Sequence, residues 1–252
     1  MKEKDLKIIK EHWENMETVS LRDRNLQELE RKTIIDFIEK TNRKTIKDIG
    51  CGDGSDTIYF AKEVQKVFAY DYSDAMLEKA SKTLKDVKNV NLNKLNILED
   101  SFEEKTDIAI TKRMLINLGN FDNQKKAIKK IYDSLNSDGY YIMLETSIDG
   151  LDNLNELRET FKYPKIPEPF HNTLFKLDIL KDFLKDFFIV EDIKYFSTYF
   201  FLTRVYNLTL DEKEENVFKY DINAKQMAMG NVNLFEENII GPQFCMLLKK
   251  RD

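Results

Sequence analysis

The sequence predicts an α/β fold: a seven-stranded, mostly parallel sheet with helices on both faces, an antiparallel final hairpin and a helical cap. Three observations carry this prediction. Short apolar runs of strand length alternate with stretches of helical periodicity as far as Glu145. A glycine cluster, Gly50-Cys51-Gly52-Asp53-Gly54, joins the first such run to the helix after it. Beyond Glu145 the alternation ends, and prolines and aromatic residues become prominent.

Taken in order, Leu26, Leu29, Ile34, Phe37 and Ile38 recur at helical spacing and predict a helix over 23–40. Residues 45–49 read as the first strand, and a helix over 55–63 begins at the glycine cluster. A second strand over 66–70 is closed by Asp71, and Ser73 is placed to cap a helix over 74–84. Strands follow over 89–94 and 106–110, then a helix over 123–135, a turn at Asn136-Ser137-Asp138-Gly139 and a fifth strand over 140–145. In the last third, helices are expected over 151–161 and 177–186, and strands over 188–195 and 244–249. Three of the four prolines fall in 163–170, which excludes a regular helix there. Residues 199–233 read as mostly helical. The organisation expected is an N-terminal cofactor-covering segment over 1–24, a binding core over 25–145, and sheet completion with a substrate cap over 146–252. The cap is placed over the carboxyl edge of the sheet, where open α/β sheets bind ligands.

The 252 residues are 42% hydrophobic, enough for a packed core and too many for a disordered chain. Lys and Arg total 40 against 45 Asp and Glu, and the net charge of -5 argues against a nucleic-acid partner. No apolar run is long enough to cross a bilayer, and the stretch up to Trp13 holds no apolar signal segment. Cys51 and Cys245 fit neither a disulfide framework nor a zinc site. A cytoplasmic, metal-free protein is expected, with its oligomeric state open.

Closely spaced glycines after a strand let the backbone approach a ligand and turn sharply into a helix. A nicotinamide site favours G-x-G-x-x-G, whereas here the glycines run G-x-G-x-G and Ser55 stands at the third position of that pattern. Asp48 lies two residues before the first glycine. A carboxylate buried there suits an ammonium better than a pyrophosphate. S-adenosylmethionine carries that ammonium and no phosphate. Tyr70-Asp71-Tyr72 ends the second strand, where an Asp is placed to accept hydrogen bonds from both ribose hydroxyls. Either feature alone also fits a simple turn or a helix cap; the pair, each after a strand, points to a nucleotide.

With these residues the chain resembles the class I S-adenosylmethionine-dependent methyltransferases. Asp48-Ile49-Gly50-Cys51-Gly52-Asp53-Gly54 matches their glycine-rich motif without a gap, and Asp71 matches their acidic ribose residue. After the third strand many members place an Asp near the adenine amino group; Asn96-Ile97-Leu98 stands here, so that contact must change. A narrower resemblance is carried by four groups of residues. They are 21–30, Arg113-Met114-Leu115-Ile116-Asn117-Leu118, Leu154-Asn155-Glu156-Leu157-Arg158 with Pro169-Phe170-His171-Asn172, and Tyr199-Phe200-Phe201-Leu202-Thr203-Arg204. This set looks like methyltransferases of bacterial surface-polysaccharide gene clusters, among them those proposed to methylate capsular phosphoramidate groups.

Methyl transfer from a sulfonium is an in-line displacement, and an alcohol acceptor gains from a base. His171, one of two histidines, is the first candidate base and Glu145 the second. The alternatives are, for His171, a surface or structural histidine bonded to a loop carbonyl and, for Glu145, substrate binding or capping of Thr146-Ser147. Trp13, Asp48, Gly50, Cys51, Gly52, Asp53, Gly54, Asp71, Tyr72, Asn96, Ile97 and Arg113 are the expected cofactor residues. Arg113, Asn117, Arg158, Asn172, Tyr199 and Arg204 are the expected acceptor residues, the arginines because a guanidinium forks onto phosphate or carboxylate. Each arginine also fits a surface or internal salt bridge, and Trp13 also fits simple packing. The function implied is O-methylation of a small sugar-, nucleotide- or phosphoramidate-containing metabolite for surface glycans, the acceptor being anionic or sugar-containing. The rivals are N-methylation of an amino sugar, a nicotinamide-dependent oxidoreductase, and a non-catalytic binding protein of the same fold.

Overall fold

The computed structural model describes residues 5–14, 23–209, 222–230, 234–235 and 238–252. Helices α1 (Leu6–Glu14) and α2 (Arg24–Thr41) precede β1 (Thr45–Ile49). Next come α3 (Thr57–Glu63), β2 (Lys66–Asp71), α4 (Asp74–Thr83), β3 (Val90–Lys94) and β4 (Thr106–Lys112). A short 3-10 helix (Leu115–Asn117) leads to α5 (Phe121–Asp133) and β5 (Leu135–Thr146). Then follow α6 (Ile148–Thr160), α7 (Leu177–Leu184), β6 (Phe188–Tyr195), α8 (Ser197–Arg204), a 3-10 turn (Tyr206–Thr209), α9 (Ile222–Met229) and β7 (Gln243–Lys250).

The seven strands form one sheet in the order β3-β2-β1-β4-β5-β7-β6. Strands β1 to β5 pair in parallel, and β7 runs antiparallel to both β5 and β6. The expected architecture is therefore present. The connection order reverses between β1 and β4, which opens a crevice at their carboxyl ends. Side chains alternate across the strands. Phe68 and Tyr70 pack into the core on one face with Ile128 and Ile131 of α5, while Val67 and Ala69 pack on the other with Ile34 and Phe37 of α2.

Local chemistry sets the helix starts. The Ser73 hydroxyl accepts from the Met76 N–H at 3.2 Å and caps α4, as expected. The helix after the glycine cluster begins at Thr57 and not at Ser55. Gly52 and Gly54 take φ of 56° and 75°, and the Ser55 N–H is held by the Asp53 carboxylate, so the turn runs on before the helix can start. The expected turn at 136–139 lies inside β5. Thr106 pairs with Leu135 and Ile108 with Tyr140, so these residues bulge from the ladder, with Asp138 at φ 57° and Asn136 tied to Asp107. The final antiparallel pair is not a tight hairpin: 196–242 separates β6 from β7 and carries α8 and α9. Of the stretch 199–233, residues 210–221 and 231–233 lie outside the described residues, as does the Leu21-Arg22 end of the first resemblance segment. No helix among the described residues is long and apolar enough to cross a membrane.

Candidate functional site

At the carboxyl ends of β1, β2 and β4 lies a cavity open to solvent on one side. Trp13, Asp48, Gly50, Cys51, Gly52, Asp53, Asp71, Tyr72, Arg113 and Asn117, all expected site residues, line it. Sequence reasoning missed Ser55, Asp56, Phe60, Met76, Lys112 and Met114, which line it too. Ser55 and Asp56 follow the glycine cluster directly, and Lys112 and Met114 flank Arg113, so adjacency was the usable signal.

The glycine turn is built for close approach. The Gly50 and Cys51 N–H groups both donate to the Tyr70 carbonyl, which fastens the turn to the end of β2. At Gly52, φ is 56° and a Cβ would meet nothing within 4 Å, so the cavity reaches the bare backbone there. Gly54 differs. A Cβ there would stand 2.9 Å from Leu84, which makes Gly54 a packing glycine between the turn and α4, outside the cavity lining.

Two buried carboxylates face this space. Asp48 accepts from the Thr57 hydroxyl at 2.6 Å, and its pKa is raised to about 7. Burial is the main cause, opposed by the Thr57 hydrogen bond and reinforced by Asp56. Asp71 accepts from the Gly52 and Ser73 N–H groups, each at 2.9 Å. Burial raises its pKa against those bonds. The Asp71 carboxylate thus locks the glycine turn to α4 and still lines the cavity.

One end of the cavity rests on a charge network. Lys112 Nζ lies 2.6 Å from Asp56 and 3.2 Å from Glu30, which is fully buried on α2. Arg31 also pairs with Asp56 at 2.6 Å, and Arg113 Nε lies 3.6 Å from Glu30. Burial works to raise the Asp56 pKa, but Lys112 and Arg31 outweigh it and hold it below its ordinary value. Arg113 has φ 52°, a left-handed conformation that strains a side chain with a Cβ. Its N–H donates to Leu144, and its carbonyl accepts from the Asn117 side chain at 2.8 Å.

Glu145 explains how that strained turn is held. It is fully buried and lies outside the cavity lining. Its carboxylate accepts from the N–H groups of Met114, Leu115 and Ile116 at 3.1–3.4 Å. Burial raises its pKa to about 7 despite these bonds. The structure therefore corrects the expectation of a base: Glu145 positions the turn that carries Arg113 and Asn117. The cap it makes is on the 3-10 helix, not on Thr146-Ser147.

His171 sits at the cavity mouth through its neighbours. Its ring stacks on His12 at 4.5 Å and meets Trp13, a cavity residue, edge-on at 5.9 Å. Phe170 meets both histidines edge-on. Thr173 anchors this segment: its N–H donates to the Ile116 carbonyl at 2.7 Å and its hydroxyl to Gly119. His171 and Asn172 are thereby carried beside Asn117.

Five other expected residues lie away from the cavity. Arg158 donates to the Pro164 carbonyl at 2.9 Å and to the Arg204 carbonyl. Arg204 pairs with Asp23 at 2.7 Å, and the fully buried Tyr199 donates its hydroxyl to Asp23. Asp23 also caps α2, so Tyr199 and Arg204 tie the cap to the start of α2, and Arg158 braces Arg204 from within the cap. Asn96 closes its own turn, its side chain accepting from the Leu98 N–H, and Ile97 is core.

Comparison with known proteins gives a consistent picture. Residues 40–190 match the model of a family described as "Methyltransferase domain". The chain is 27% identical over 162 residues to carboxy-S-adenosyl-L-methionine synthase of Helicobacter pylori (strain G27), covering 62% of this chain and 67% of that one. In structure it is similar to the N-methyltransferase NodS of Bradyrhizobium japonicum WM9 in complex with S-adenosyl-L-homocysteine. The TM-score is 0.62 at 12% identity, with 98% and 99% of the two chains covered. An S-adenosylmethionine-dependent methyltransferase from Clostridium acetobutylicum ATCC 824 aligns with TM-score 0.59 at 13% identity, over 91% of this chain and 92% of that one.

Proposed function

The chain belongs to the methyltransferase domain family, and from that membership we propose that it moves a methyl group from S-adenosylmethionine to a hydroxyl of a small, sugar-containing acceptor. The fold is the Rossmann-like fold of class I methyltransferases, and S-adenosylmethionine is the cofactor. One observation carries the placement of that cofactor: Asp48, the bare Gly52 backbone and Asp71 converge on one cavity in the crevice of the sheet. The residues fit it. Asp48 would hold the ammonium and Asp71 the ribose, and the buried hydroxyl of Tyr72 has no hydrogen-bond partner of its own. Lys112 and Arg113 supply positive charge for a carboxylate.

When bound, S-adenosylmethionine supplies an electrophilic methyl group on a sulfonium. The chain must hold the acceptor oxygen in line with it and exclude water. His171 is the base. It would take the proton of the acceptor hydroxyl as that oxygen is methylated, the donor leaving as the neutral thioether. The sequence resemblance to surface-polysaccharide methyltransferases motivates a surface-glycan context for the acceptor. The arginines that joined that resemblance to a phosphate or phosphoramidate, Arg158 and Arg204, are engaged inside the cap.

The test is transfer of isotope-labelled methyl from S-adenosylmethionine into a fractionated pool of sugar-containing metabolites, followed by mass spectrometry of the labelled product. A methyl ether supports the reading. Label on nitrogen, a donor recovered with an added carboxyl group, or no labelled product would contradict it.

Two expectations follow for the donor. Asp71→Ala removes the proposed ribose acceptor, and the loss in binding is expected to be on the order of 1–3 kcal/mol. Unchanged calorimetric affinity in a folded variant would refute the contact. Asp48 makes binding pH-dependent. With its pKa near 7 in the free protein, the carboxyl is ionised above pH 7 and meets the ammonium directly. Below pH 7 it must first lose a proton, so affinity for S-adenosylhomocysteine should fall by up to about tenfold per pH unit. A flat profile between pH 5.5 and 8, in a variant-free titration, would separate Asp48 from the ammonium.

A further inference from the structure

We infer that the acceptor lies between the end of α1 and the 169–173 segment, and that its recognised part is a neutral polyhydroxylated group, a sugar ring or comparable polyol. This deepens the methyl-transfer reading and rests on it.

The inference comes from four buried polar atoms. His12 Nε2, Trp13 Nε1, Asn117 Oδ1 and Asn172 Oδ1 have no hydrogen-bond partner. Such atoms are destabilising unless a ligand or water satisfies them. They belong to one neighbourhood. Trp13 and Asn117 line the cavity, His12 and Trp13 touch His171, and Thr173 fastens the Asn172 segment to the turn of Asn117. The Asn117 amide is oriented by its bond to the Arg113 carbonyl, which leaves the oxygen as the unmet group. The set is mixed: the indole only donates, the two amide oxygens only accept, and the imidazole nitrogen does either. A hydroxyl both donates and accepts, and several on one ring match such a set. An apolar ligand would leave all four unmet.

Charge points the same way. The two cations lining the cavity, Lys112 and Arg113, face Glu30 and Asp56. Arg158 and Arg204 are held in the cap by carbonyls and Asp23. With Lys112 and Arg113 assigned to the donor's carboxylate and Arg158 and Arg204 engaged in the cap, none of these four cations is left for an anionic acceptor group. Aromatic surface is present instead. Trp13, and Phe170 with 60% of its surface exposed, offer flat apolar faces to the C–H side of a sugar ring.

The protein saturated with S-adenosylhomocysteine is titrated with neutral methyl glycosides of common hexoses, deoxyhexoses and N-acetylhexosamines, with the matching sugar 1-phosphates, and with inorganic phosphate. Binding is read by saturation-transfer NMR and calorimetry. The expected result is saturable binding of at least one neutral glycoside, not improved by the phosphate. His12→Phe and Asn172→Ala should each weaken that glycoside by about tenfold while leaving S-adenosylhomocysteine affinity unchanged. Binding of none of the glycosides, binding governed by phosphate, or glycoside binding indifferent to both variants overturns the inference with the donor reading intact. Failure of S-adenosylhomocysteine to bind overturns both.

Discussion

Gly52→Val is expected to abolish S-adenosylhomocysteine binding while leaving the sheet folded. The backbone at Gly52 has φ 56°, and a Cβ there would project where no protein atom lies within 4 Å. The added side chain therefore meets no wall of the protein and takes ligand space. Binding should weaken by more than about 100-fold, which corresponds to roughly 2.7 kcal/mol or more. A β-branched residue held left-handed also costs on the order of 1–2 kcal/mol, a drop of a few degrees in melting temperature. Gly54→Ala is the matched control. Its Cβ presses on Leu84 and lies outside the cavity, so it should lower stability with little loss of affinity. Native affinity in Gly52→Val, or equal loss in the control, would place the cofactor elsewhere.

His171→Ala should lower turnover by about 10²–10⁴-fold, the range for loss of a general base. Donor affinity should stay nearly intact, because His171 lies outside the cavity lining and meets it through Trp13. The measurements are single-turnover rates with S-adenosylmethionine and the unmethylated acceptor identified by labelling, and calorimetry with S-adenosylhomocysteine. Near-normal turnover removes the base assignment. A loss confined to donor affinity would make His171 a support for Trp13 rather than a proton acceptor.

That Asp48, the glycine turn and Asp71 would meet at one cavity was legible because their signals are local. Asp48, the three glycines and Asp71 sit at strand ends, and their spacing follows from a strand, a turn, a helix and a second strand. The charge network was not legible. Glu30 lies on α2 and Lys112 at the end of β4, and only the tertiary fold brings them to 3.2 Å. The same limit explains the misplaced arginines. Nothing in the local sequence shows that Arg158 will meet the Pro164 carbonyl or that Arg204 will meet Asp23 across the cap. At 136–139 the residue types predict a turn ahead of the strand, whereas the strand already begins at Leu135. The pairing of β4 with β5 on both sides makes these residues a bulge. His12 was read only as part of a covering segment; its stacking on His171 is a long-range contact with no signal along the chain.

The most direct test of the central claim is calorimetric titration of the unmodified chain with S-adenosylmethionine and, separately, with NAD. The cavity described here predicts saturable binding of S-adenosylmethionine at one site per chain and no binding of NAD. Absence of S-adenosylmethionine binding, or tighter binding of NAD, would contradict it.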